Sequence, residues 1–214
     1  MTIEIPPKQW RANVSHKHKF VWTAPPKAAT RTTKNVFRKH CELNPEWPTE
    51  DYPSDFTHVN RWPAGVSNDY LHITSVRHPY YRWISYWKYA QRGANELKRL
   101  GTDPLTAILE MPRAAEGWFT AWSCYYMSVR TNPRIDYIIR AESLVDDIRK
   151  LPFMPDDYEL DVSSDGRTRP LLGIDWDEQE LRDVVYDLFR VDYDNFGYGK
   201  NDVFNLWDSN PRLI

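Results

Sequence analysis

The sequence predicts an α/β domain with a central parallel sheet flanked by helices. Three observations carry that prediction: β-rich apolar runs alternate with helical periodicities, two of those runs stop at proline-containing loops that also carry a basic residue, and no internal repeat or low-complexity tract interrupts the order. Strands alternating with helices favour parallel pairing with helices on the faces. A chain of 214 residues is long enough to bury a real core as one domain.

Taken in order, residues 1–18 are polar and proline-containing and read as an N-terminal arm, 19–200 as the domain and 201–214 as a tail. The first strand spans about 19–24 and ends at Pro25-Pro26, and a helix follows from Thr32 to about His40. Residues 41–68 read as a loop-rich connection, with prolines and a glycine among acidic and aromatic residues and one short strand over 55–59. The second strand, Leu71 to Arg77, is stopped by His78-Pro79, and Pro79 suits a helix's first turn. In the helix that follows, Trp83, Trp87 and Ala90 mark one face with Ile84 beside it, while Arg82, Ser85 and Tyr89 fall on a neighbouring face.

Further on, residues 101–112 contain a short helix, and 113–129 read as a helix striped with Ala115, Trp118, Phe119, Trp122, Tyr125, Tyr126 and Val129. Such a stripe is either core or an aromatic wall for a sugar ring or aryl acceptor. A third strand covers 134–140, then a helix over 143–151 turns Leu144, Ile148 and Leu151 inward. Residues 154–170 are loop, and 177–190 form the clearest amphipathic helix, with Leu181, Val184, Val185 and Leu188 inward.

Composition narrows the function. A formal net charge of −2 offers no global attraction to nucleic acid or to an anionic membrane, yet basic residues cluster locally at Lys17-His18-Lys19, at Lys34 with Arg38-Lys39, and at Arg92 with Lys98-Arg99. These are solvated faces or local attractors for an anionic ligand. Two cysteines, Cys41 and Cys124, make no disulfide framework and no CxxC pair, which points to a reducing compartment. The first twenty residues lack the apolar centre of a signal peptide and no run of 18 apolar residues occurs, so a soluble, cytoplasmic protein is expected.

The most informative stretch is Phe20 to Thr33, FVWTAPPKAATRTT. It reads as strand, anion-binding loop and helix N-terminus, an arrangement that aims backbone N–H groups and the helix dipole at one spot. Lys27, Thr30, Arg31, Thr32 and Thr33 add donors there, and the backbone at Ala28 and Ala29 approaches the anion. The loop is not GxxxxGK[ST], because Lys27 leads and no glycine follows it, which disfavours an ordinary nucleoside triphosphatase. At the end of the second strand, the fork of Arg77 with the hydroxyl of Ser85, eight residues on, would grip a second phosphate.

Together the PKxxxxT loop and the RxPxxRxxS segment resemble the two donor-binding elements of sulfotransferases that use 3′-phosphoadenosine 5′-phosphosulfate (PAPS). Further matches follow the family's order. Thr57-His58-Val59-Asn60 resembles the GHV stretch of uronyl 2-O-sulfotransferases, Arg140-Ala141-Glu142-Ser143-Leu144 resembles a strand-to-helix RxExL signature, and Asp192 to Tyr198 is similar to the DyexFGY ending of the carbohydrate branch. Residues 163–170 resemble a late basic loop that closes over the donor, with Arg169 the matching residue. The set spans about 19–198. The resemblance implies a P-loop-like sulfotransferase architecture, with Lys27 to Thr33 on the 5′-phosphosulfate and Arg77 with Ser85 on the 3′-phosphate. It implies a carbohydrate acceptor; no metal is expected, since positively charged side chains and backbone amides can hold the developing charge. The chain departs from the family where Ala28 and Ala29 stand in place of glycine, and where Thr57 stands before His58.

The chemistry expected is in-line sulfuryl transfer to an acceptor hydroxyl. His58 takes the proton, and Lys27 stabilises the charge growing on the leaving phosphate. His72 and His78 are competing bases. His16 and His18 form an HxH pair without the acidic or cysteine companions that a metal site calls for. Two other classes remain open to the residues alone: a small-molecule kinase with an atypical phosphate loop, and a nucleotide- or glycan-binding module without turnover.

Overall fold

The structure is a computed structural model that describes residues 13–23, 25–43, 69–92, 103–110, 123–125, 128, 134–155, 158 and 179–202. Four strands make one mixed sheet in the order β1 (Asn13–Ser15), β2 (Phe20–Thr23), β3 (Leu71–Val76), β4 (Tyr137–Arg140). β1 runs antiparallel to β2, whereas β2, β3 and β4 are parallel, with Trp22 opposite Ile73 and Val76 opposite Arg140. The expected parallel sheet is therefore present with one antiparallel edge. That edge corrects the reading of 1–18 as an arm: Asn13, Val14 and Ser15 are buried in the sheet. The short polar NVS run gives no periodicity to read, but the Asn13 amide donates to the Trp22 carbonyl at 3.4 Å and the Ser15 hydroxyl to the Cys41 carbonyl at 2.6 Å. Both polar side chains are thereby satisfied on burial.

Among the described residues the helices are α1 (Thr30–His40), α2 (Pro79–Arg92), α3 (Pro104–Leu109), α4 (Leu144–Arg149, after a 3₁₀ turn at Ala141–Ser143) and α5 (Gln179–Phe196). The period of two along the strands divides them between the faces of the sheet. Phe20, Trp22, Ile73 and Ile139 pack with Val36 and Phe37 of α1 and with Leu144 and Ile148 of α4. On the other face Val76 joins Trp83, Ile84 and Trp87 of α2 and Leu181, Val185, Phe189 and Tyr193 of α5.

β3 is buried on both faces yet carries polar residues, and each finds a partner. Thr74 and Ser128 share a hydroxyl bond of 2.6 Å, the Trp22 indole donates to Ser75 at 2.8 Å, and His72 Nδ1 lies 3.0 Å from the Arg134 carbonyl. A carbonyl only accepts, so that nitrogen of His72 carries the proton. α5 runs beyond Arg190, where the amphipathic reading stopped, to Phe196. Its helical path is broken at Phe189 (φ −114°, ψ 22°). It ends where Gly197 turns left-handed at φ 68° and the Tyr198 N–H returns to the Tyr193 carbonyl at 3.1 Å, a Schellman closure.

Candidate functional site

β2 and β3 are adjacent and parallel, so the segments leaving their carboxyl ends emerge side by side, where α/β sheets place their ligands. From β2 comes the loop Pro25 to Ala29. Its backbone is left-handed at Lys27 (φ 64°) and at Ala29 (φ 56°), and Ala28 between them is fully buried. The loop thus takes the shape that glycine would supply, at a cost of about 1 kcal/mol for each left-handed non-glycine residue. The Thr30 hydroxyl donates to the Pro25 carbonyl at 2.7 Å, and Thr33 donates through its N–H and its hydroxyl to the Ala29 carbonyl at 3.0 and 3.1 Å. Both threonine protons staple the loop onto its own helix.

Ala29 is the N-cap of α1 and offers no capping side chain. The amides of the first turn and the helix dipole therefore give the loop's mouth a positive character. Thr32 is partly exposed and Arg31 exposed at this end. Lys27 is half-buried, with its Nζ 4.3 Å from the centroid of the Tyr89 ring on α2. The described contacts bring Lys27 to the α2 face that carries Arg82, Ser85 and Tyr89.

From β3 comes Arg77. Burial lowers its pKa and the charge of Glu142 opposes that shift, and its Nε is buried with no hydrogen-bond partner among the described residues. An unsatisfied buried guanidinium N–H is costly unless a ligand meets it. Ser85 stands in the second turn of α2, half-buried. Glu142 orders the turn in which it stands. One carboxylate oxygen accepts the His78 N–H at 2.8 Å and the other the Tyr198 phenol at 3.0 Å. His78 is fully buried, and its Nε2 donates to the Gly199 carbonyl at 3.0 Å; burial lowers its pKa. It holds the loop to the Gly199 carbonyl rather than opening to a ligand.

Arg82 is the residue whose part the sequence concealed. Periodicity sets it with Ser85 and Tyr89 on the face beside the Trp83 stripe, but it is 2% exposed, donates through Nε to the Pro26 carbonyl at 2.9 Å, and faces Asp192 at 3.5 Å. The one signal was its place in the RxPxxRxxS spacing. Both thiols are pushed by burial up to about 12, so neither Cys41 nor Cys124 is a thiolate at neutral pH. His58 and Arg169 lie outside the described residues, as do the short strand over 55–59 and the loop over 163–170. Among the described residues no group of three or more His, Cys, Asp or Glu side chains could hold a metal ion, and no helix is long and apolar enough to cross a membrane.

Two positively charged elements therefore leave adjacent strand ends: the Lys27 loop with its uncapped helix N-terminus, and the Arg77 segment. A protein-family model described as the sulfotransferase family matches residues 10–142, a span that runs from β1 to Glu142 and takes in both elements. No curated protein and no solved structure matches the chain.

Proposed function

The chain belongs to the sulfotransferase family of PAPS-dependent enzymes, and we propose that its acceptor is a carbohydrate hydroxyl, with residues 27–32, Arg77, Ser85 and Arg169 on the donor and His58 as the base. The observation that carries the donor assignment is the side-by-side exit of the left-handed Lys27 loop and the Arg77 segment from two adjacent parallel strands. The loop with its uncapped helix N-terminus suits the 5′-phosphosulfate. The Nε of Arg77, buried and without a hydrogen-bond partner among the described residues, suits the 3′-phosphate.

In the reaction the acceptor oxygen forms a bond to sulfur as the bond from sulfur to the bridging phosphate oxygen breaks. His58 receives the acceptor's proton, and Lys27 meets the negative charge left on the bridging oxygen. To do so Lys27 would leave the face of Tyr89. His72 and His78 are weaker candidates, because both side chains are buried in the fold and do not open to an acceptor. The loop residues and Arg77 can bear the donor's charge without a metal.

A transfer assay tests this reading. The protein is incubated with PAPS and a panel of glycans, phenols and tyrosyl peptides, and products are weighed for an added sulfuryl group. Sulfated glycan that disappears with His58→Ala, while the bisphosphate product still binds, supports the assignment. Sulfation of phenols alone contradicts the carbohydrate acceptor, and full turnover by His58→Ala contradicts the base.

A further inference from the structure

We infer that Arg82 and Asp192 form a buried brace that sets the conformation of the anion-binding loop, so that Arg82 is a positioning residue for the donor's 5′ end. The inference rests on the donor reading above. It starts from burial: Arg82 is 2% exposed and Asp192 not exposed at all, and the two stand 3.5 Å apart. Taking both charges out of water is costly, and a buried ion pair often does no better for stability than an apolar pair of the same volume. Its geometry supplies a different reason for its presence.

The Arg82 Nε donates to the Pro26 carbonyl at 2.9 Å. That carbonyl belongs to the same planar trans peptide as the Lys27 N–H, and the two groups point in opposite directions. Holding the carbonyl inward therefore turns the Lys27 N–H outward and supports the left-handed backbone at Lys27, φ 64°. Left-handed backbone at a non-glycine residue persists only where its surroundings over-determine it. The loop has two such residues, and Arg82 is the charged group that grips its carbonyl between the second proline and the lysine.

Asp192 in turn is fixed from a third side. Its two oxygens accept the backbone N–H groups of Cys124 and Tyr125 at 2.8 Å each, and the Ser123 hydroxyl also bonds to it. One carboxylate thus joins α5 to residues 123–125 and to Arg82 on α2, and through Arg82 to the loop. Asp192 opens the DYDNFGY ending. The first and last residues of that ending brace two parts of one site: Asp192 the loop through Arg82, and Tyr198 the Arg77 segment through Glu142.

The test is calorimetric titration of wild type and Arg82→Lys with two probes, adenosine 3′,5′-bisphosphate and adenosine 3′-monophosphate. Lysine keeps the charge facing Asp192 but cannot reproduce the fork that also reaches Pro26. The bisphosphate should bind Arg82→Lys about tenfold more weakly, the size of one lost hydrogen bond from a charged donor, while the 3′-monophosphate binds both proteins alike. Equal weakening of both probes marks a merely structural role and overturns the inference, as does unchanged bisphosphate affinity. If wild type binds no bisphosphate, the donor reading falls and this inference with it. Should Arg82→Lys fail to fold, Arg82→Met with Asp192→Asn removes both charges together and must show the same selective loss. Should neither variant fold, the Arg82 Nε–H proton signal of wild type decides: it shifts with the bisphosphate and not with the 3′-monophosphate, and an unmoved signal overturns the inference.

Discussion

Tyr198 donates its phenol proton to the Glu142 carboxylate at 3.0 Å, which ties the end of α5 to the turn after β4. The other oxygen of that carboxylate holds the His78 N–H at 2.8 Å, one residue from Arg77. Burial and the neighbouring Glu142 charge together push the Tyr198 pKa up, so the phenol stays a donor throughout the working pH range. The Arg77 segment is thus fastened, through Glu142, by a residue 56 positions from that carboxylate in sequence.

The first prediction concerns this bond. Tyr198→Phe leaves one oxygen of a partly buried carboxylate short of a donor and should destabilise the protein by about 1–3 kcal/mol in denaturant titration. Adding Glu142→Gln to Tyr198→Phe should cost less than the two single changes summed, with a coupling of at least about 0.5 kcal/mol. Strict additivity would show that the two side chains do not act together.

Gly197 is held at φ 68° by the Schellman closure, and a Cβ there meets nothing within 4 Å. The constraint is conformational rather than steric crowding. Gly197→Ala should therefore lower stability by about 1–2 kcal/mol, whereas Gly197→Asn, which tolerates the left-handed region, should cost visibly less. Chemical denaturation of the three proteins checks the ranking, and equal stability of all three would contradict the closure.

Lys34, half-buried on α1, has its pKa lowered to about 8 by burial and by the neighbouring charge of Arg38. A lysine in the unfolded chain titrates near 10.5. Between these values the unfolded state holds a proton that the folded state has lost, so stability rises with pH across the window. The penalty is complete below about 8 and gone above about 10.5. Lys34→Met should therefore be more stable than wild type at pH 7, with the difference in Tm shrinking as pH approaches 10.5. A pH-independent difference would show that the ammonium is not penalised in the fold.

Much of this architecture was legible in the residues because the strong signals are local. Pro25-Pro26 and His78-Pro79 end strands wherever they occur, and the spacing of Leu181 and Val185 fixes the inward face of α5 whatever it packs on. What could not be read depends on contacts between distant residues. Asn13 to Ser15 pair with β2 through backbone bonds, which a three-residue polar run does not announce. The helical periodicity sets Arg82 on a face with Ser85 and Tyr89 but does not reveal its burial, which depends on Asp192, 110 positions later, and on the Pro26 carbonyl, 56 positions earlier. Thr30 and Thr33 read as ligand donors by type, but their protons go to the loop's own carbonyls, a choice fixed by the left-handed turn at Ala29.

The donor site is the centre of this account, and calorimetric titration with adenosine 3′,5′-bisphosphate, set against ATP with Mg²⁺ and with Arg77→Ala as the control, tests it most directly. Micromolar binding of the bisphosphate that Arg77→Ala abolishes, with no heat from ATP, is the predicted result. Preference for ATP, no binding of either nucleotide, or bisphosphate binding indifferent to Arg77→Ala would contradict it.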